Sequence, residues 1–147
     1  ITTTGPNGTV SLTIKAGDPG TPRKYADGQL GPDGQVYQIT GDWANWGQIF
    51  QFAGAPINLL IFSSYPMPAI PTWAEHVGPI FSNYARMYPF MKGILDLGDQ
   101  ATVVGGIGSI GHVLNLPRTD PHHMPVVRDL SRDKLAMIKK WITNGTP

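Results

Sequence analysis

Three prolines within seven residues, Tyr65-Pro66-Met67-Pro68-Ala69-Ile70-Pro71, constrain this chain more than any other feature. Proline fixes φ and lacks an amide donor, so neither a helix nor a central strand can run through such a stretch. Without interleaved glycine it makes a stiff, extended connector. The spacing of apolar residues changes across it, from the period of strands to the period of helices. The expected organisation is α+β: a β-rich unit over residues 1–66, a proline connector over 67–71 and a helical module over 72–147.

In the first unit, Thr9 to Lys15 alternates strictly, with Val10, Leu12 and Ile14 on one face, which predicts a half-buried strand. Asp27-Gly28, Gly31-Pro32 and Asp33-Gly34 provide the positive φ angles of tight reversals. Gln35 to Thr40 reads as a second strand and Ile49 to Phe52 as a third. Ile57 to Phe62, the most apolar run, reads as a central strand buried on both faces. Together they predict a small antiparallel sheet or sandwich.

Beyond the connector, Thr72 and Glu75 have the spacing of a capping box, which starts a helix at Trp73. Pro79 requires a kink, or a restart with proline in the first turn. Ile80, Phe81, Tyr84, Met87 and Tyr88 then form one apolar face until Pro89 stops it. A short turn or helix is expected from Pro89 to Leu95. Asp99 suits the N-cap of a helix to Leu114, which four glycines at 105, 106, 108 and 111 weaken by about 0.8–1 kcal/mol each. Ser131 and Asp133 mark the start of a last helix with Leu135, Ile138, Trp141 and Ile142 as its buried stripe and Gly145 as its stop.

Composition narrows the roles open to this fold. Apolar residues make up 41% of the chain, enough for a packed interior. Charged residues are only 14%, against roughly 25% in ordinary soluble domains, so part of the surface is expected to be covered by another chain or domain. A net charge of +1 without a basic cluster argues against nucleic acid. No apolar run approaches the ~20 residues of a membrane span. The absence of cysteine rules out disulfides, thiolate metal sites, a thiol nucleophile and a cysteine-derived quinone within the chain. The chain opens on Ile1 rather than Met, which suggests a mature, cleaved or excised piece.

Trp73, Val77, Pro79, Ile80, Phe81 and Tyr84 resemble the opening helix of small c-type cytochrome modules appended to secreted bacterial oxidoreductases, where they lead into Cys-x-x-Cys-His. Met124-Pro125, then Leu130-Ser131-Arg132-Asp133, then Trp141-Ile142-Thr143-Asn144-Gly145 resemble the closing part of the same modules. The resemblance covers Trp73 to Pro147 and implies a cytochrome c-like module of three or four helices, with a periplasmic or extracellular setting. It places the two thioether cysteines at Ala85 and Tyr88, the proximal histidine at Pro89 and the distal ligand at Met124. Ala, Tyr and Pro cannot attach or ligate haem in that way. A haemless relative follows, with no covalent haem. An apolar void costs about 24 cal/mol per Å³, so Tyr88 and Met124 are expected to occupy the vacated space.

The implied role is that of a non-catalytic accessory segment or subunit of a larger, redox enzyme assembly. Its partner would be a larger subunit or the remainder of a cleaved precursor. Two alternatives stand beside it. In Asp120-Pro121-His122-His123-Met124, imidazoles and a thioether suit copper, giving His122, His123 and Met124 as a metal site for electron transfer or oxidation. The same loop also reads as structural, with Asp120 forming a turn and Met124 filling space. Trp43 and Trp46, in a glycine-bounded loop, plug one end of the sandwich if buried, or else pack at an interface or stack on carbohydrate. No carboxylate pair marks a general acid and base, and neither Ser63 nor Ser64 has a nucleophile's setting, so no catalytic residue is assigned.

Overall fold

The computed structural model describes residues 6–9, 11, 13–20, 23–39 and 57–147. Among these described residues, two strands and four helices follow one another in an α+β arrangement: β1 (Gln35–Ile39), β2 (Ile57–Ile61), α1 (Gly78–Met87), α2 (Gln100–Gly105), α3 (Ile107–Asn115) and α4 (Arg132–Thr143). A π-helical turn, Trp73–Val77, leads into α1, and a 3₁₀ turn, Pro89–Gly93, follows it.

β1 and β2 pair antiparallel, with Gln35 opposite Ile61 and Ile39 opposite Ile57. β2 is not the doubly buried central strand its composition suggests. Among the described residues it pairs with β1 alone, and Ile57 and Leu60 remain exposed. The expected strand at Thr9 to Lys15 is also absent among the described residues there, which are irregular and exposed. Alternation supplies a face but no partner edge, and an isolated strand cannot satisfy its amides from within. The expected third strand, Ile49 to Phe52, lies outside the described residues, as do Trp43 and Trp46.

The core belongs to the helices. Val77, Ile80, Phe81, Val103, Ile110, Leu114, Leu130, Met137, Ile138 and Trp141 form one buried cluster. The first helix starts at Trp73 as its spacing predicts, but through a different cap. Thr72 makes no side-chain cap; instead its amide and hydroxyl both approach the His76 Nδ1, at 3.2 and 3.1 Å. Pro79 falls in the first turn of α1, where its missing amide donor costs nothing. Trp73 stacks on Phe81 at 5.8 Å and tilts against Trp141 at 5.7 Å, fastening this helix to α4.

The expected single helix from Asp99 to Leu114 is two. Asp99 caps α2, accepting from the Thr102 amide at 2.8 Å. The helix breaks at Gly106, where a Cβ would lie 2.8 Å from the Leu95 Cδ1, so the chain turns where the 3₁₀ segment's successor needs room. In α4, Ser131 accepts from the Lys134 amide at 3.3 Å, and Gly145 ends the run at φ +80°. The buried stripe is Lys134, Met137, Ile138 and Trp141, rotated from the one that apolar spacing alone picks out.

The proline connector is largely exposed but is tied to the helical module at two points. Pro71 is fully buried, and the Pro68 carbonyl accepts from Lys140 Nζ at 2.8 Å. The segment before β1 crosses α1. There Arg86 pairs with Asp27, donates to Gln29 Oε1 at 3.1 Å and lies over the Tyr25 ring.

Candidate functional site

Where the helices end, they leave a recess. α1 supplies Phe81 and Tyr84, with Tyr88 just beyond its last turn. The segment after it supplies Phe90, Met91, Leu95 and Leu97. Ile110 and Leu114 of α3 and Ile138 of α4 form the floor, and Met124, Pro125, Val126 and Leu130 form the far wall. The volume is about 300 Å³, and no polar atom surfaces in it. Sealed and empty, such a void would cost about 7 kcal/mol at 24 cal/mol per Å³. That is comparable to the whole stability of a small domain. The recess is therefore open to one side.

The expected filling of this space by Tyr88 and Met124 is not what is found: both line the recess and leave it open. Tyr88 stacks parallel to Tyr84, with centroids 6.3 Å apart and planes 1° apart, and meets Phe90 edge-on. These contacts hold its ring against the wall. Met124 is held back by its own loop. Arg128 gathers that loop by donating to five carbonyls: Nε to Arg118, Nη1 to His123, Pro125 and Val126, and Nη2 to Asp120, over 2.6–2.9 Å. Arg118 Nη2 returns a bond to the Arg128 carbonyl at 2.7 Å. Arg128 has φ +59°, a left-handed conformation that a non-glycine residue holds only when its surroundings fix it.

Behind Tyr84 lies a second, polar cavity of about 40 Å³, walled in part by Asp33, Asn83, Asp129 and Lys134. The Lys134 Nζ sits 2.8 Å from Asp33 Oδ2, with both side chains only 5% exposed. Oδ2 receives no aligned hydrogen bond, so the contact is chiefly one of charge. Asp33 Oδ1 accepts from the Ser63 amide at 3.3 Å, and the Tyr25 hydroxyl donates to Asn83 Oδ1 at 3.2 Å. The Tyr84 hydroxyl donates to Asp129 Oδ1 at 3.1 Å. Burial, then the neighbouring Asp129 charge, pushes the Tyr84 phenol well above its ordinary range. The bond to Asp129 holds the Tyr84 oxygen, and no polar atom surfaces in the recess beside its ring.

The structure does not gather His122, His123 and Met124 about one point. His123 is buried, with Nδ1 2.7 Å from the Leu116 carbonyl. The His122 ring is 84% exposed, beside Asp120 at 3.2 Å, while Met124 faces the recess. Asp120 forms the loop turn, accepting from the His122 amide at 2.8 Å, and the charge-stabilising bonds of that turn hold its carboxyl below the usual carboxylate range. Among the described residues, no three His, Cys, Asp or Glu side chains form a group able to hold a metal ion. His112 is exposed on α3.

Ala85, Tyr88 and Pro89, where the resemblance would place the haem-attaching residues, carry neither thiol nor imidazole. Compared with protein-family models, curated proteins and solved structures, the chain matches none.

Asp33, Arg128 and Lys134 escape a reading of sequence. Lys134 alone left a trace, at helical spacing from Met137, Ile138 and Trp141.

Proposed function

We propose that this chain is a non-catalytic accessory segment of a larger redox enzyme assembly and that it meets its partner through the rim of the apolar recess. The observation that carries this reading is the rim. Phe90 and Val126, which line the recess, are 69% and 62% exposed, and Ile94 and Val127, close to them in sequence, are 78% and 63% exposed. Exposed apolar surface grouped in this way is of the kind that partners cover. The low proportion of charged residues supports the same reading. The redox setting comes from the likeness of Trp73 to Tyr84 and Met124 to Gly145 to haem modules. Haem itself has no place in it, and nothing that lines the recess pairs an acid with a base. No helix among the described residues is long and apolar enough to cross a membrane.

The test is the mass of the chain in gentle extracts of its native source, read by light scattering after size exclusion. A species well above 15.9 kDa is expected, returning to 15.9 kDa when Ile94→Asp and Val127→Asp are introduced together. A wild-type chain that emerges alone as a monomer ends this reading.

A further inference from the structure

The rim accounts for exposed apolar surface, but not for the depth of the recess behind it. We infer that the recess binds a small, neutral, fused-ring aromatic molecule, or the unsubstituted aromatic end of a larger one. This goes beyond the accessory reading and stands without it.

Size sets the first limit. A sealed apolar cavity of about 150 Å³ takes one benzene, so 300 Å³ corresponds to about a dozen carbon atoms. Polarity sets the second. No polar atom surfaces in the recess, so a charged guest, a carbonyl or a peptide strand would bury groups without partners. Wall chemistry sets the third. Tyr84, Tyr88 and Phe90 all line the recess and already meet one another in parallel and edge-on fashion, so an aromatic guest would join an existing aromatic cluster. Met91 and Met124 bring polarisable thioethers that favour aromatic neighbours and adapt to their outline. The wall carrying Met124, Pro125 and Val126 is fixed in advance by the five carbonyl bonds of Arg128, so little ordering is left for the guest to impose.

Naphthalene is the probe, titrated into the intact chain by calorimetry and by thermal shift. One site per chain is expected, with Kd below about 1 mM. Naphthalene-2-sulfonate, the same ring system carrying a charge, should bind at least about tenfold more weakly, because no polar atom in the recess meets that charge. Met124→Lys sets a charge at the mouth, on a side chain already 42% exposed, and should weaken naphthalene at least about tenfold while circular dichroism shows the helices intact. Ile94→Asp, on the rim, should leave naphthalene affinity unchanged even where it abolishes association, which separates this inference from the accessory role. The inference is overturned if wild type shows no saturable binding, if Met124→Lys binds as wild type does, or if naphthalene-2-sulfonate binds as tightly as naphthalene.

Discussion

Replacing Lys134 by methionine keeps most of the side chain's length and removes its charge. In the native protein that charge lies 2.8 Å from Asp33 Oδ2, both groups are 5% exposed, and Asp129 borders the same 40 Å³ cavity. Loss of the ammonium leaves the Asp33 carboxylate buried without its counter-charge, a change that costs about 3–5 kcal/mol where such pairs have been broken. Asp129 as a second anion nearby favours the upper part of that range. This is a large fraction of the 5–15 kcal/mol that holds a typical domain together. Removing both charges, as Asp33→Leu with Lys134→Met, should restore stability to within about 1 kcal/mol of wild type, since apolar replacement of a buried pair is often neutral. Urea unfolding at pH 7, followed by tryptophan fluorescence for the four variants of the cycle, measures both quantities. A cost below about 1 kcal/mol for Lys134→Met, or strict additivity in the double variant, would show that the pair is not the buried clasp described here.

Arg128→Lys keeps the charge but loses the planar fork. Lysine can reach at most three of the five carbonyls, so a cost of about 2–3 kcal/mol is expected in the same unfolding assay, together with faster proteolysis between residues 116 and 130. Bonds from the Thr102 hydroxyl and then its amide hold the Asp99 carboxyl below its ordinary value. A depressed folded-state pKa stabilises above the unfolded value and is lost as pH falls through the folded one. The advantage of wild type over Asp99→Asn should therefore be present at pH 7, begin to fall near pH 4 and vanish only once pH drops below the lowered folded value, as read from melting temperatures across that range. Copper added to purified protein and removed by desalting should leave far less than one ion per chain. A stoichiometric ion, lost on His122→Ala, would instead show that the loop rearranges to bring His122, His123 and Met124 together.

What sequence made legible was local chemistry. Ser131, Asp99 and Gly145 mark helix ends because a cap or a positive φ restricts the residue at that one position, and each stands where its chemistry predicts. Pro79 likewise announces the handover from the π-helical turn to α1. Longer-range features left weaker traces. The split at Gly106 depends on Leu95 arriving from eleven residues upstream. The stripe of α4 was misplaced because a buried lysine looks polar until its aspartate is known. Arg128 gave no sign at all, since its partners are main-chain carbonyls, which every residue possesses. The recess could not be read either, because it arises from where several elements stop. Its lining residues look, one by one, like ordinary core.

Gly106 offers a way to tune that space from outside. Leu95 belongs to the lining, and its Cδ1 stands 2.8 Å from the place a methyl group would take on residue 106. Alanine there would press on the leucine and so alter the chamber's capacity while every lining residue kept its identity. The helix break thus doubles as a setting for how much room the chamber keeps.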